Sequence, residues 1–213
     1  MKKKIHYFLL FWALALSGHA APVHAAPSAG DNRVPTTPAR NTVAPPQIHG
    51  LYDYYEVSGG STTDLICDLK GKACRYPDGK KYDSVTKWRV GWNYGYNKSG
   101  GMCSAEGFHL TVDIVVRIPA WLHRASATQP VIDKWETYID QLKTHENEHL
   151  DKVVQAADDL TLAVSQMPPA ATCADLNREI WQMSKSRLKR LEVEQNQYDA
   201  ETGHGWTQGA LFP

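Results

Sequence analysis

The 213-residue sequence has no surplus of charge, with 23 Lys and Arg against 23 Asp and Glu. Without a basic surplus there is no electrostatic footprint for a phosphate backbone, so nucleic acid is excluded as an expected partner. A long hydrophobic run is missing too. The only concentrated apolar stretch, residues 7–17 (YFLLFWALALS), falls short of the roughly 20 residues that span a bilayer. Cysteine is scarce, at four, and no two are spaced Cys-x-x-Cys, which argues against a thiolate zinc site.

The short apolar run follows Lys2, Lys3 and Lys4 and precedes small residues at plausible processing positions. This is the pattern of a removable export signal over residues 1–25, which predicts a periplasmic or extracellular protein. Removal takes three lysines and no acid, leaving a net charge of −3, and leaves nothing to hold the chain stably in a membrane. Residues 26–48 are rich in Pro, Ala and Thr; they offer too little apolar surface to offset ordering entropy and are expected to be a flexible linker. In an oxidising compartment the four cysteines predict two disulfides, Cys103–Cys173 and Cys67–Cys74 being the preferred pairs.

Residues 49–213 suffice for one domain with its own core. Its first half is strand-rich. Residues 51–57 form one expected strand, and Ser61 to Asp64 can cap a short helix. Trp88, Val90, Trp92, Tyr94 and Tyr96 alternate as on a strand with one buried face, more as core than as a substrate groove. Gly100-Gly101 turns the chain into a second strand over 108–118, pairing antiparallel and ended by Pro119. From 130 to 166 the apolar period becomes 3.6, and a second helix is expected from about 174 to 197. The fold class is therefore α+β: an N-terminal antiparallel sheet followed by two long helices.

The stripe of the first long helix (Ile132, Trp135, Ile139, Leu142, then Val153, Ala157, Leu160, Val164) is interrupted by His145 and His149. Four residues apart, they project from one side and can share an ion. Burying two imidazoles without partners would be costly, so the interruption points to Zn2+ held on His145-Glu146-x-x-His149, a zincin-like active-site helix. Glu146 would be the general base that takes a proton from zinc-activated water attacking a carbonyl. Among the other histidines, His49, His109 and His123 read as structural or exposed.

A third ligand is required. The compact variant with a histidine six residues past the second ligand is absent, because Lys152 and Gln155 stand at the expected Gly and His positions. An antiparallel hairpin would bring residues 191–195, with Glu192 and Glu194, level with the two histidines, and the segment 198–205 could fold back over the metal. Tyr198 there could stabilise an oxyanion as a further catalytic residue, or simply continue the helix's inner stripe.

Tyr54-Tyr55-Glu56-Val57-Ser58-Gly59, Trp88 with Val90 and Trp92, Cys103 before a valine-rich strand, Ile118-Pro119, Trp135, His145-Glu146-x-x-His149 and Tyr198-Asp199-x-x-Thr202-x-His204-Gly205 occur in that order. Over nearly all of 49–213 the chain resembles the bacterial family of predicted secreted zinc-dependent proteases, classed as a domain of unknown function. The resemblance implies an exported zinc protein and makes the 198–205 segment the completion of the site. His204 becomes the expected third ligand, ahead of Asp199 and then Glu194. The expected function is a zinc metallopeptidase acting on a peptide or protein substrate; the alternative is a non-catalytic envelope or adhesion module stabilised by zinc.

Overall fold

The structure is a computed structural model that describes residues 4–8, 44–72, 74–75 and 81–212. Most of the expected leader and linker, residues 9–43, lies outside the described residues. A mixed sheet carries the order β1-β5-β6-β2, formed by β1 (Lys4–Phe8), β2 (Gln47–Val57), β5 (Val85–Ser99) and β6 (Met102–Trp121). Between β2 and β5 come α1 (Thr62–Lys72) and a two-stranded ribbon of β3 (Cys74–Arg75) and β4 (Lys81–Tyr82). Two long helices follow, α2 (Gln129–Ser165) and α3 (Cys173–Thr202). The α+β architecture is the one the periodicities imply. Among the described residues no helix is long and apolar enough to cross a membrane.

The β5–β6 hairpin closes at Gly100 and Gly101, both at positive φ (59° and 78°). A two-residue turn needs such angles to match the twist of its strands, and only glycine adopts them at no steric cost. The hairpin is antiparallel, but β2 joins β6 in parallel register, Val57 opposite Trp121. The antiparallel expectation holds for β5 and β6 and is corrected for β2: α1 and the β3–β4 ribbon form a crossover, so the chain re-enters the sheet at β5 and leaves β6 running alongside β2. Pro119 does not end the strand either. Pairing of β5 with β6 stops at Val85 opposite Arg117, so Pro119 lies where that side of β6 is open and a missing N–H is tolerated.

One face of the sheet, with Val90, Trp92, Leu110, Val112, Ile114, Val116 and Ile118, packs beneath α2 and α3 in a single core. Trp92 and Tyr94 are core residues, as the alternation implies. Pro130 sits in the first turn of α2, where no N–H partner is needed. Asp175 N–H donates to Thr172 Oγ1 at the start of α3, and Gly203 ends that helix with left-handed φ and ψ.

Cys103 and Cys173 form a disulfide across a separation of 70 residues. It ties β6 to the first residue of α3, where Cys103 also exchanges two backbone hydrogen bonds with Ala170, both 2.8 Å. Closing a loop of that length contributes about 4 kcal/mol in the chain-entropy treatment. The expected Cys67–Cys74 pair is not formed: Cys67 is a free thiol on the exposed face of α1, and the Cys74 side chain lies outside the described residues.

Candidate metal centre

α2 crosses the sheet with His145, Glu146 and His149 all buried. α3 runs back against it and brings Asp199 to the same level. His149 Nε2 stands 3.3 Å from His145 Nε2 and 3.0 Å from Asp199 Oδ1, and His145 Nε2 is 3.2 Å from the same oxygen. Ligands about 2.0–2.1 Å from a tetrahedral zinc stand about 3.3 Å from one another. The three atoms thus form a triangle of the size that ion requires, and this buried His145/His149/Asp199 group could hold a metal ion.

His204, placed first by the sequence, lies just outside the triangle. Its Nδ1 is 3.4 Å from Asp199 Oδ1, and its ring stacks on Tyr82 with centroids 3.8 Å apart. The residue has φ of 56°, between Gly203 at 58° and Gly205 at 85°. Three consecutive left-handed residues turn the chain off α3 and back onto α2. Glu194 is engaged by Arg187 and Arg190, and Glu192 by Lys189. Neither carboxylate belongs to the buried group.

Both histidines are held from behind. Gln208 Oε1 lies 2.9 Å from His145 Nδ1, and Gln195 Oε1 contacts His149 Nδ1. The Gln195 side chain also donates to the His149 carbonyl at 2.9 Å. Tyr198 stacks on His145 with centroids 5.0 Å apart and meets the His149 ring edge-on. Its hydroxyl pairs with Gln208, so the phenol stands behind the imidazoles, supporting His145.

Glu146 is 2% exposed. Ser84 Oγ donates to its Oε1, and Thr86 Oγ1 donates to its Oε2 at 2.5 Å. These hydroxyls come from the residue just before β5 and from its second residue, and both reach Glu146 on α2. A cavity of about 240 Å³ lies beside them, lined by Asp83, Ser84, His145, Glu146, Asp199 and His204, with Tyr82, Trp206 and Leu211 at its walls. Tyr138 donates to Asp83 Oδ2 and Tyr55 to the Asp83 carbonyl, both at 2.8 Å. Burial raises the Asp83 carboxyl above its usual range, against the lowering effect of the Tyr138 bond.

Burial alone would also raise Asp199, but hydrogen bonds from His145 and His149 and the nearby His149 and His204 charges hold it well below the carboxylate range. Burial would lower His149; the hydrogen bond and charge of Asp199, the Gln195 contact and the Glu146 charge raise it instead. The metal-free protein is therefore stabilised by the pair in a window from about pH 4 to about pH 6.5. Below the window, stability is lost as Asp199 protonates; above it, stability is lost as His149 gives up its proton. Urea unfolding of metal-free protein across pH 3–9 should show this maximum, and the His149→Ala variant should lose the alkaline decline.

Sequence reasoning missed Ser84, Thr86, Gln195 and Gln208. Gln195 lies one helical turn before Asp199, so the helix register contained a signal for it. Gln208 had none, because only the folded-back turn brings it to His145. No curated protein and no solved structure matches the chain. The profile of a family described as bacterial protein of unknown function (DUF922) matches residues 52–205. That span takes in the second half of β2, the β5–β6 hairpin and every member of the buried His145/His149/Asp199 group, and the chain belongs to this family.

Proposed function

We propose that the protein is an exported zinc-dependent hydrolase, a metallopeptidase that cleaves amide bonds in a peptide or protein substrate. The observation that carries this reading is the triangle of His145 Nε2, His149 Nε2 and Asp199 Oδ1, at 3.0–3.3 Å, with the buried Glu146 lining the same cavity as His145 and Asp199. Two imidazoles and one carboxylate are a donor set that suits zinc, and three protein donors leave one coordination position for water or substrate, as in catalytic rather than structural sites. Zinc held there would supply Lewis-acid polarisation of a carbonyl oxygen and acidification of water.

The chain's own residues then have distinct tasks. Glu146 accepts the proton of the attacking water and delivers it to the departing nitrogen. Ser84 and Thr86 hold both of its oxygens, so the carboxylate meets substrate already oriented. Asp199 is the third ligand, and His204 braces it from the cavity side. The leader pattern supports export, and its removal would also take away β1, leaving β5 as the sheet's edge strand.

Metal analysis of protein purified without chelators tests the reading. About one zinc per chain is expected, falling to traces in His145→Ala and His149→Ala. Full stoichiometry in both variants would reject the site.

A further inference from the structure

Two carboxamides, Gln195 and Gln208, approach the two histidines from opposite elements, and each places an oxygen against Nδ1 rather than Nε2. We propose that Gln195 and Gln208 are the positioning residues of the metal site, locking His149 and His145 as Nδ1–H tautomers with both Nε2 atoms free for one ion. The proposal rests on the reading of His145, His149 and Asp199 as metal ligands.

An imidazole coordinates through one nitrogen only when the proton sits on the other, and a hydrogen-bond acceptor at Nδ1 decides that tautomer. At His149 the amide orientation is fixed by its second bond. Gln195 Nε2 donates to the His149 carbonyl at 2.9 Å, which leaves Oε1 as the atom facing the ring. Gln195 and Asp199 are four residues apart on α3, so one helix face supplies the rear acceptor for His149 and the carboxylate ligand in front of it.

At His145 the acceptor comes from the C-terminal turn. Gly205, at φ 85°, packs so closely that a Cβ there would lie 3.1 Å from the His145 ring carbon Cγ and 2.9 Å from Ala210 Cβ. Only glycine permits that approach. It seats the 3-10 turn Trp206–Gln208 on α2, with Gln208 Nε2 3.0 Å and Oε1 3.2 Å from Tyr198 Oη, and the same Oε1 2.9 Å from His145 Nδ1. Gln208 lies on the C-terminal turn, three residues past the end of the family match at 205.

Both locks are neutral, and the choice of amide has a consequence. A carboxylate in place of the Gln208 amide would add one negative charge beside His145 and so near the cation. Gln208→Glu is tolerated by its neighbours, because Tyr198 can turn its hydroxyl to donate. It should bind zinc at least as tightly as the wild type. Gln208→Leu and Gln195→Leu keep bulk but remove the acceptor, and zinc affinity should fall by about 10–100-fold in each.

The test uses the mature full chain, zinc affinity by competition with a chromophoric chelator, and nitrogen-15 spectra of the zinc-loaded histidines. Wild type and Gln208→Glu should each show two slowly exchanging Nδ1–H protons, and each Leu variant should lose one of them. Thermal midpoints of the metal-free proteins separate loss of fold from loss of tautomer. Wild-type affinity in both Leu variants, as a packing role predicts, would overturn the proposal; so would a Gln208→Glu variant as weak as Gln208→Leu, since it keeps the acceptor at Nδ1. A wild-type chain that takes up no zinc would remove the metal site itself and this proposal with it.

Discussion

Glu146→Gln should keep its zinc and its thermal midpoint while losing hydrolysis by about 10²–10⁴-fold, the range for removal of a general base. The substitution is isosteric, and its surroundings can adapt. Ser84 and Thr86 now donate to the two carboxylate oxygens; a hydroxyl can rotate to accept from an amide N–H, so one of the two reverses and neither Glu146 atom is left unpaired. Proton transfer has no such remedy, because an amide takes no proton from water near neutral pH. The triangle of ligand atoms does not include Glu146, so metal content should be unchanged. Cleavage of a broad peptide library, read by mass spectrometry on protein of verified zinc content, is the measurement. Equal cleavage by the variant would sink the general-base role. Zinc loss would instead make Glu146 part of the metal shell. Wild-type protein that holds zinc but cleaves nothing in the library would favour the non-catalytic envelope module, for which Glu146→Gln is silent.

The parts legible in the sequence are those governed by local periodicity. The apolar stripe of α2, broken by His145 and His149, located the helix and the two histidines together, because burial of paired imidazoles has few explanations. Alternation from Trp88 to Tyr96 likewise gave β5 and its buried face. The start of β5 was harder. Ser84, just before that strand, and Thr86, on it, are polar, since their partner is Glu146 rather than the apolar core. A hydrophobicity pattern cannot register a polar residue whose buried partner lies sixty residues away. Parallel pairing of β2 was invisible for a similar reason: register between distant strands depends on the crossover through α1. The free Cys67 shows the same limit. An even cysteine count suggests pairing, yet a bridge needs Cα atoms within about 7 Å of each other, which a count does not report.

Replacing Asp199 by Ala should abolish stoichiometric zinc binding, whereas replacing His204 should leave about one zinc per chain at reduced affinity. Asp199 Oδ1 lies within 3.0–3.2 Å of both imidazole Nε2 atoms. Without it two donors remain, fewer than the three that hold a catalytic zinc. His204 contacts the site through Asp199, at 3.4 Å, and its loss resembles that of an orienting group, about 10–100-fold in affinity. The choice of variant matters because His204 sits at φ 56°. His204→Ala keeps a Cβ in the left-handed region, which costs an ordinary residue about 1–2 kcal/mol; His204→Gly removes the ring and the strain together. Comparing the two separates the imidazole's effect from the backbone's. Both should retain zinc, with His204→Gly the more stable in thermal unfolding, while Asp199→Ala remains folded through its disulfide and core but empty of metal. Should both His204 variants lose zinc while Asp199→Ala holds it, the ligand set is His145, His149 and His204, and the turn at 203–205 would have to swing the imidazole inward on binding.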